Sequence, residues 1–143
     1  MGFGDIRRLV YVSDAARPIG EDELASILTA ARERNRSLNV TGLLLCKGGN
    51  FIQAIEGPSE NLDTLMRSIR RDRRHTNLFV MLDETSDRRE FEDRAMGYRQ
   101  VPLDGELGAQ LDELTLQSQD LASRIAEKTL AQRFMRVFHD CLR

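Results

Sequence analysis

The sequence has no tryptophan, two tyrosines and two cysteines. Cys46 and Cys141 lie far apart, and neither belongs to a CxxC or Cys/His pattern. We therefore expect two free thiols and neither a disulfide framework nor a metal site. The net charge of −2 provides no basic field of the kind that accompanies nucleic-acid binding. These absences argue against disulfide-rich, zinc-binding and nucleic-acid-binding proteins.

Long apolar runs are also missing. No stretch could cross a bilayer, and no charged-then-apolar leader opens the chain, so we expect a cytoplasmic protein with no membrane partner. There is no HExxH pattern, P-loop, GxGxxG or Ser-His-Asp pattern, so we do not expect an enzyme. With 143 residues, 41% of them hydrophobic, the chain is long enough for one domain with its own core.

The most informative stretch is residues 39–58, NVTGLLLCKGGNFIQAIEGP. Two apolar runs flank a Gly-Gly pair, which predicts a β-hairpin because glycine adopts positive φ at no steric cost. Strand alternation then places Phe51, Gln53 and Ile55 on one face. A buried amide without a partner costs about 1–3 kcal/mol. Gln53 therefore needs a partner, either a loop backbone group or a ligand.

Two further polar residues are predicted to face the same interior. Residues 6–13 are rich in β-formers and predict a strand covered on both faces, with Tyr11 pointing inward. Residues 21–35 carry an amphipathic stripe that ends at Asn35. A core tyrosine with one hydrogen bond and a helix-capping asparagine are the structural interpretations of these residues.

The following segment repeats these patterns. It predicts a helix from an N-cap at Ser59 to about residue 72, a covered strand at 78–82, a polar loop at 85–90 and a fifth strand at 91–99. The basic run at 70–75 favours a solvated helix C-terminus over a nucleic-acid patch.

After Pro102 the pattern is helical only. Apolar stripes at 107–114 and 125–141 predict two helices that must bury one face on the sheet or on another chain. The order β-α-β-β-α-β-β predicts an α+β fold: a ferredoxin-like sheet with two helices on one face and a C-terminal helical pair covering the other. We expect residues 1–100 to form the domain and residues 101–143 a helical extension that caps, oligomerises or transmits a signal.

Four segments together resemble a known family: LVYVS, NVTGLLLCKGGNFIQAIEGP, IRRDRRH and FEDRAMGYR. They are similar to those of BLUF domains, blue-light sensors that use flavin, and the similarity covers about residues 6–99. The layout resembles the short members that carry a small helical extension. The resemblance implies a photoreceptor that binds FAD, with FMN or riboflavin as alternatives.

The resemblance also implies a photoactive trio. Tyr11 matches the tyrosine that gives an electron and then a proton to the excited flavin. Gln53 matches the glutamine whose hydrogen bonds are rearranged so that its amide donates to the flavin carbonyl. Met96 matches the methionine that reports the flavin state to the surface. A glutamine suits this role because one end of its amide donates and the other accepts.

A larger set matches the residues that hold the cofactor. Ile27 and Ile69 correspond to the aliphatic pair that sandwiches the ring, and Asn35 to the asparagine at its pyrimidine edge. The complete set that the resemblance implies is Tyr11, Ile27, Asn35, Gln53, Ile69, Asp72, Arg73 and His75. Of these, Asp72 and Arg73 match the ribityl and phosphate end, and His75 a histidine near the ring.

One position departs from the family pattern. Arg94 and Ala95 stand where many members have tryptophan and a small polar residue. An arginine is costly to bury unpaired, so we expect Arg94 to face solvent and Met96 to face the interior. The lack of tryptophan leaves Tyr11 without a competing indole donor.

Two rival functions fit parts of the sequence. A flavin-free ferredoxin-like interaction module would use Gln53 and Asn35 as internal hydrogen-bonding residues. An acylphosphatase-like hydrolase would need an arginine in a glycine-rich loop after the first strand, where only Arg17 is available. For the sensor we expect a homodimer or higher oligomer and an unidentified downstream signalling protein, and no direct contact with nucleic acid.

Overall fold

The computed structural model describes residues 6–91, 96–101, 105–119, 133 and 135–137. The elements are β1 (Ile6–Ala15), α1 (Glu21–Ser37), β2 (Thr41–Lys47), β3 (Asn50–Pro58), α2 (Ser59–Arg71), β4 (His75–Ser86), β5 (Gly97–Gln100) and α3 (Glu106–Gln119). Residues 133 and 135–137 are also helical. This order confirms the predicted series of strands and helices.

The strands form one sheet in the order β4-β1-β3-β2-β5. The β4–β1, β1–β3 and β3–β2 pairs are antiparallel, whereas β2 and β5 run parallel. The pairing of β1 with β3 sets Tyr11 directly opposite Gln53. The mixed sheet with helices on its face confirms the predicted α+β, ferredoxin-like arrangement.

Strand alternation divides the interior into two cores, one on each face of the sheet. On one face, β1 and β3 pack against α1 and α2 through Leu9, Ile55, Leu28, Leu62 and Leu65. On the other face, the core contains Val10, Ile52, Phe91, Leu111, Met135 and Val137. The described part of the helical extension thus covers the second face of its own sheet.

The hairpin between β2 and β3 depends on two glycines. Gly48 has φ 58°, the left-handed conformation that glycine tolerates best, and forms the predicted turn. At Gly42 the strands approach so closely that a Cβ atom would collide with the backbone of Ala54. A side chain at position 42 would therefore push β2 away from β3.

The predicted cap of α2 is wrong. Pro58 occupies the N-cap position with φ −59° and ψ 136°, no side-chain capping bond forms, and Ser59 is the first helical residue. The fixed φ of proline suits the entry to a helix, and the strand leads directly into it. The hydroxyl of Ser59 instead accepts a hydrogen bond from Arg7.

The two outer strands differ most from their predicted lengths. β4 extends well beyond the apolar residues 78–82, because its backbone pairs with β1 from Ile6↔Ser86 to Ala15↔His75. The predicted polar loop therefore begins after Ser86. β5 begins only at Gly97. Arg94, which we expected to face solvent, lies outside the described residues, as do Cys141 and most of the second C-terminal helix.

Candidate functional site

A cleft opens between α1 and α2, and its floor is the face of β1 and β3 that the helices cover. Seven of the nine residues that the sequence predicted for the site line this cleft: Tyr11, Ile27, Gln53, Ile69, Asp72, His75 and Met96. The cleft has a volume of about 110 Å³. An adjoining cavity has a volume of about 560 Å³. Three residues line both spaces: Ile19, Leu24 and Phe51. The two together form an elongated space between the helices and the sheet.

A chain of hydrogen bonds crosses the floor of the cleft. The hydroxyl of Tyr11 donates to Oε1 of Gln53. Nε2 of Gln53 in turn donates to Sδ of Met96 at 3.1 Å. All three side chains are buried, with exposed fractions of 4%, 7% and 3% respectively. The partners of Gln53 are thus two side chains of its own chain rather than a loop backbone group, and both ends of the amide are used.

The phenol of Tyr11 is held in its neutral form. Burial raises its pKa above the usual value of 10, while the nearby Arg34 cation lowers it and the Asp72 carboxylate raises it. The hydroxyl therefore retains its proton at physiological pH and donates a hydrogen bond to Gln53. A buried, protonated tyrosine bonded to an amide can release an electron and a proton from the same group.

Two buried polar atoms beside Tyr11 have no hydrogen-bond partner within the described residues. They are Oγ of Ser13 and Nε of Arg34, and both residues line the cleft. Buried polar atoms in folded proteins nearly always have a partner, so these two fit a ligand that carries hydrogen-bond acceptors. Sequence reasoning missed both residues. Ser13 shares a strand face with Tyr11, and Arg34 follows Ile27 by seven residues, two helical turns on the same face.

Charged residues surround the mouth of the cleft. Arg74 donates to both carboxylate oxygens of Asp72, with Nε–Oδ1 at 2.9 Å and one terminal nitrogen to Oδ2 at 2.6 Å. These bonds to Arg74 hold the pKa of Asp72 below its usual value. Nε2 of His75 lies 2.6 Å from the carbonyl oxygen of Ile69 and therefore donates to it, because a carbonyl only accepts.

Two predicted site residues do not line the cleft. Asn35 is fully buried at the end of α1, where its backbone carbonyl accepts the N–H of Val40 at 2.8 Å. Arg73 is exposed, and the arginine at the cleft mouth is its neighbour Arg74.

Met96 is held from both sides, immediately before β5. Its sulfur accepts from Gln53, and its backbone carbonyl accepts from Nε of Arg32 at 2.9 Å. The expectation that Met96 faces the interior is confirmed. Through these two bonds the start of β5 is attached to both β3 and α1.

Among the described residues, no group of histidine, cysteine, aspartate or glutamate side chains could hold a metal ion. In the same part of the chain, no helix is both long enough and apolar enough to span a membrane.

Comparison with known proteins identifies this arrangement. Residues 6–97 match the family described as "Sensors of blue-light using FAD", abbreviated BLUF. The chain belongs to the BLUF family. The resemblance that the four sequence segments predicted is thereby confirmed, and the cleft with Tyr11, Gln53 and Met96 is the cleft of a BLUF domain.

The curated relatives are much longer than this chain. The photoactivated adenylate cyclase subunit alpha-like protein FB of Euglena gracilis is 40% identical over 90 residues, which are 63% of this chain and 9% of that protein. The chain thus spans about a tenth of the length of such curated relatives.

Two solved structures are similar to this one in fold. The dark-state structure of BlrB, a BLUF protein, is 28% identical with a TM-score of 0.70, and the match covers 95% of this chain and 98% of BlrB. A bacterial light-regulated adenylyl cyclase is 29% identical with a TM-score of 0.67, covering 94% of this chain and 36% of the cyclase.

Proposed function

We propose that this chain is a blue-light photoreceptor whose cleft binds a flavin and whose Gln53 amide is the light-operated switch. The observation that carries the proposal is the hydrogen-bonded series Tyr11–Gln53–Met96 on the floor of a BLUF cleft. The matched region is a sensor module, so the activity proposed is sensing and signalling rather than catalysis.

The cleft suits a flavin in shape and chemistry. Ile27 and Ile69 line it from α1 and α2 and would pack on the two faces of a flat ring. Ser13 and Arg34 bring polar atoms that a ring with carbonyl and nitrogen acceptors would satisfy. The family description names FAD, which we propose as the cofactor here.

The remaining predicted residues would hold the rest of the cofactor. Asp72 and His75 lie along the cleft mouth, where the ribityl chain would leave the ring. Arg73 is exposed beside them, within reach of a phosphate outside the cleft. Asn35 does not line the cleft but lies at the end of α1, from where it would support the pyrimidine edge. Because these contacts beyond the ring lie near solvent, FMN and riboflavin would also bind.

Light acts on Gln53 through Tyr11. The flavin, when bound, supplies blue-light absorption and accepts an electron. Tyr11 would provide that electron and then its hydroxyl proton. Once both had returned to Tyr11, Gln53 would be left with a changed hydrogen-bonding pattern in which its amide would donate to the cofactor.

Met96 can form a hydrogen bond with only one end of the Gln53 amide. A thioether sulfur accepts weakly and cannot donate, so only the NH₂ end of the Gln53 amide can bond to it. When the amide exchanges its ends, Oε1 faces the sulfur and the bond is lost. Loss of this bond would release the start of β5, and β5 and the helical extension would pass the change to a homodimer or a downstream signalling protein.

A light-minus-dark absorption spectrum tests the proposal. Wild-type protein reconstituted with FAD should be yellow and show a small, thermally reversible red shift after blue light. Gln53→Leu should keep the flavin and lose the shift, because leucine cannot donate or accept. Gln100→Leu changes an exposed glutamine of β5 in the same way and should retain the shift.

Two results would contradict the proposal in different ways. Protein that remains colourless after reconstitution would favour the flavin-free interaction module. A normal red shift in Gln53→Leu would show that the flavin binds as proposed and that Gln53 is not the switch.

A further inference from the structure

Arg32 of α1 binds the main chain of Met96 from outside the cleft. Its Nε donates to the Met96 carbonyl oxygen at 2.9 Å, although the two residues are 64 positions apart in the chain. Arg32 does not line the cleft, whereas Ala31 and Arg34 of the same helix do. Its side chain is partly buried and forms no ion pair with the described residues. The structure thus gives this guanidinium a backbone carbonyl as its partner.

Met96 stands just before the part of β5 that pairs with the sheet. The pairing of β5 with β2 begins at Gly97, opposite Leu43. Met96 is nevertheless buried, with 3% of its surface exposed. A buried carbonyl needs a hydrogen-bond donor, and Arg32 supplies one. Arg32 therefore fixes the backbone of a residue that precedes the first paired position of its strand.

The side chain of Met96 has a different partner, the amide of Gln53. Nε2 of Gln53 donates to Sδ at 3.1 Å. A thioether accepts weakly and methionine has three rotatable side-chain bonds, so this bond alone offsets little of the entropy lost when the residue is ordered. The bond to Arg32 reduces that loss, because it holds the backbone from which the side chain extends. The bond between Gln53 and the sulfur is therefore more populated when Arg32 is in place.

We infer that Arg32 is a positioning residue of the proposed photoreaction: by holding the Met96 carbonyl, it keeps the Met96 sulfur within reach of Gln53, so that a change at Gln53 moves Met96. The inference rests on the proposed light-operated switch at Gln53. Arg32 neither lines the cleft nor binds Gln53, so it acts through Met96. One bond holds the backbone of Met96 in both states, and the other changes with the state of the amide.

Two substitutions separate the hydrogen bond of Arg32 from its charge. Arg32→Met keeps an unbranched apolar stem and removes every donor. Arg32→Gln removes the charge but keeps a donor, since Nε2 of glutamine is attached to Cδ just as Nε of arginine is. The matched control is Arg36→Met, which changes an exposed arginine of the same helix.

NMR of protein with isotope-labelled methionine methyl groups, recorded in the dark and under blue light, tests the inference. The chain has five methionines, and the Met96 signal is the one that Met96→Leu lacks. In wild-type protein reconstituted with FAD this signal should move on illumination. Arg32→Met should reduce the movement about fivefold, the factor by which loss of one hydrogen bond changes a population. Arg32→Gln should restore the movement, and Arg36→Met should leave it unchanged.

Absorption measurements on the same proteins separate this role from damage to the fold or to the cleft. Arg32→Met should bind FAD with wild-type affinity and show the full red shift, because Arg32 does not line the cleft and Gln53 keeps its bond to Tyr11. The return to the dark spectrum should be slower than in wild type, since the sulfur is less often in place to accept from the returning amide.

The outcomes distinguish this inference from the proposed function. A wild-type Met96 movement in Arg32→Met would overturn the inference, and so would an Arg32→Gln protein that fails to restore it. Weakened FAD binding by Arg32→Met would place Arg32 in the cofactor site and also overturn it. In each of these cases a normal red shift in wild-type protein would keep the sensor function. Wild-type protein that binds FAD without any light-induced shift would refute the proposed function itself.

Discussion

Burial controls the protonation of three side chains on the helix-covered face of the sheet. Burial raises the pKa of Tyr11 above 10, and it raises the pKa of the Cys46 thiol to about 11. It also raises the pKa of Tyr98, which is hydrogen-bonded to Cys46, to about 12. All three groups are therefore neutral across the physiological range, and Tyr11 keeps the proton that the proposed photoreaction requires.

These shifts predict a loss of stability at alkaline pH. Below about pH 8, a full unit under the lowest ordinary value, the folded and unfolded chains hold the same protons on these groups, so the three groups add no pH dependence. Above the ordinary values of 9.0 for Cys46 and 10.0 for the tyrosines, only the unfolded chain ionises, and the free energy of unfolding falls as the pH rises through the folded pKa values. Urea unfolding midpoints measured from pH 8 to 11 should decline accordingly.

Tyr11→Phe provides the control for that measurement, because it removes one ionisable phenol and should reduce the decline above pH 10. The same variant should bind flavin and show no light-induced shift. An equally steep decline with and without Tyr11 would contradict the assignment of part of the effect to this residue.

For single residues, the sequence predicted which face of the sheet a side chain occupies but not which groups it binds. Strand alternation placed Tyr11 and Gln53 on one face, and the register of β1 with β3 brings them together. The pairing of the Gln53 amide with Met96 joins residues 43 positions apart, so no local pattern could reveal it. Arg34 is one of two basic residues in the last turn of α1, where charge alone indicates only a favourable interaction with the helix dipole, and its partial burial depends on how α1 packs on the sheet.

At the element scale, β3 carries both the proposed switch and the main anchor of the following connection. Glu56 lies on the opposite face from Gln53 and is fully buried. It binds Arg8 at 2.8–2.9 Å and accepts the backbone N–H groups of Glu90 and Phe91 at 2.8 Å. This carboxylate fixes the segment that follows β4 against the sheet.

Glu56→Gln should therefore destabilise the fold strongly. It leaves the buried Arg8 cation without its fully buried carboxylate partner, and breaking a buried pair typically costs about 3–5 kcal/mol. Glu84 also binds Arg8 but is partly exposed, so Glu84→Gln should cost about 1 kcal/mol. Urea unfolding of the two variants measures the difference, and equal losses would show that burial of Glu56 does not determine its contribution.

The lengths of the elements were less predictable than their order. Helices α1 and α2 followed from their apolar stripes to within two residues. The polar ends of β4 are strand only because β1 offers a backbone partner along its full length. β5 owes its position to a parallel partner more than 50 residues earlier in the chain, from Leu43↔Gly97 onward, which no short-range signal specifies.

At the scale of the whole molecule, the helical extension is fastened to the sheet face opposite the cleft. Apolar packing of Leu111 is supplemented by an ion pair between Lys47 of β2 and Asp112 of α3. The side chain of Lys47 is 9% exposed, whereas that of Asp112 is 59% exposed. Beside this pair, the N–H of Val101 donates to the carbonyl of Cys46 at 2.7 Å.

Asp112→Asn should destabilise the protein by about 1–2 kcal/mol, since it leaves a buried ammonium group unpaired while the exposed aspartate itself contributes little. The same change in a Lys47→Met background should cost almost nothing. The double-mutant cycle, measured by urea unfolding, isolates the pair. Identical costs in both backgrounds would show that the pair does not couple α3 to β2.

The sequence predicted the order of the helices and strands, but not whether the C-terminal helices pack on their own sheet or on another chain. The apolar stripe of α3 required a cover, and its periodicity was equally compatible with its own sheet or another chain. Contacts of Leu111, Met135 and Val137 with the sheet core decide for the same chain within the described residues. The boundary at residues 100–101 and the expected oligomer remain predictions.

A small change in free energy is enough to affect the short parallel strand β5, through which we propose that the signal passes. It has four residues and lies at the edge of the described sheet, where β2 is its neighbouring strand. Edge segments with few backbone bonds open at a small fraction of the global unfolding free energy, and their amide hydrogens exchange with solvent correspondingly fast. Met96, immediately before this strand, is thus attached to a part of the sheet that opens easily. A single side-chain hydrogen bond, worth about 1 kcal/mol, is then large enough to change how often β5 opens.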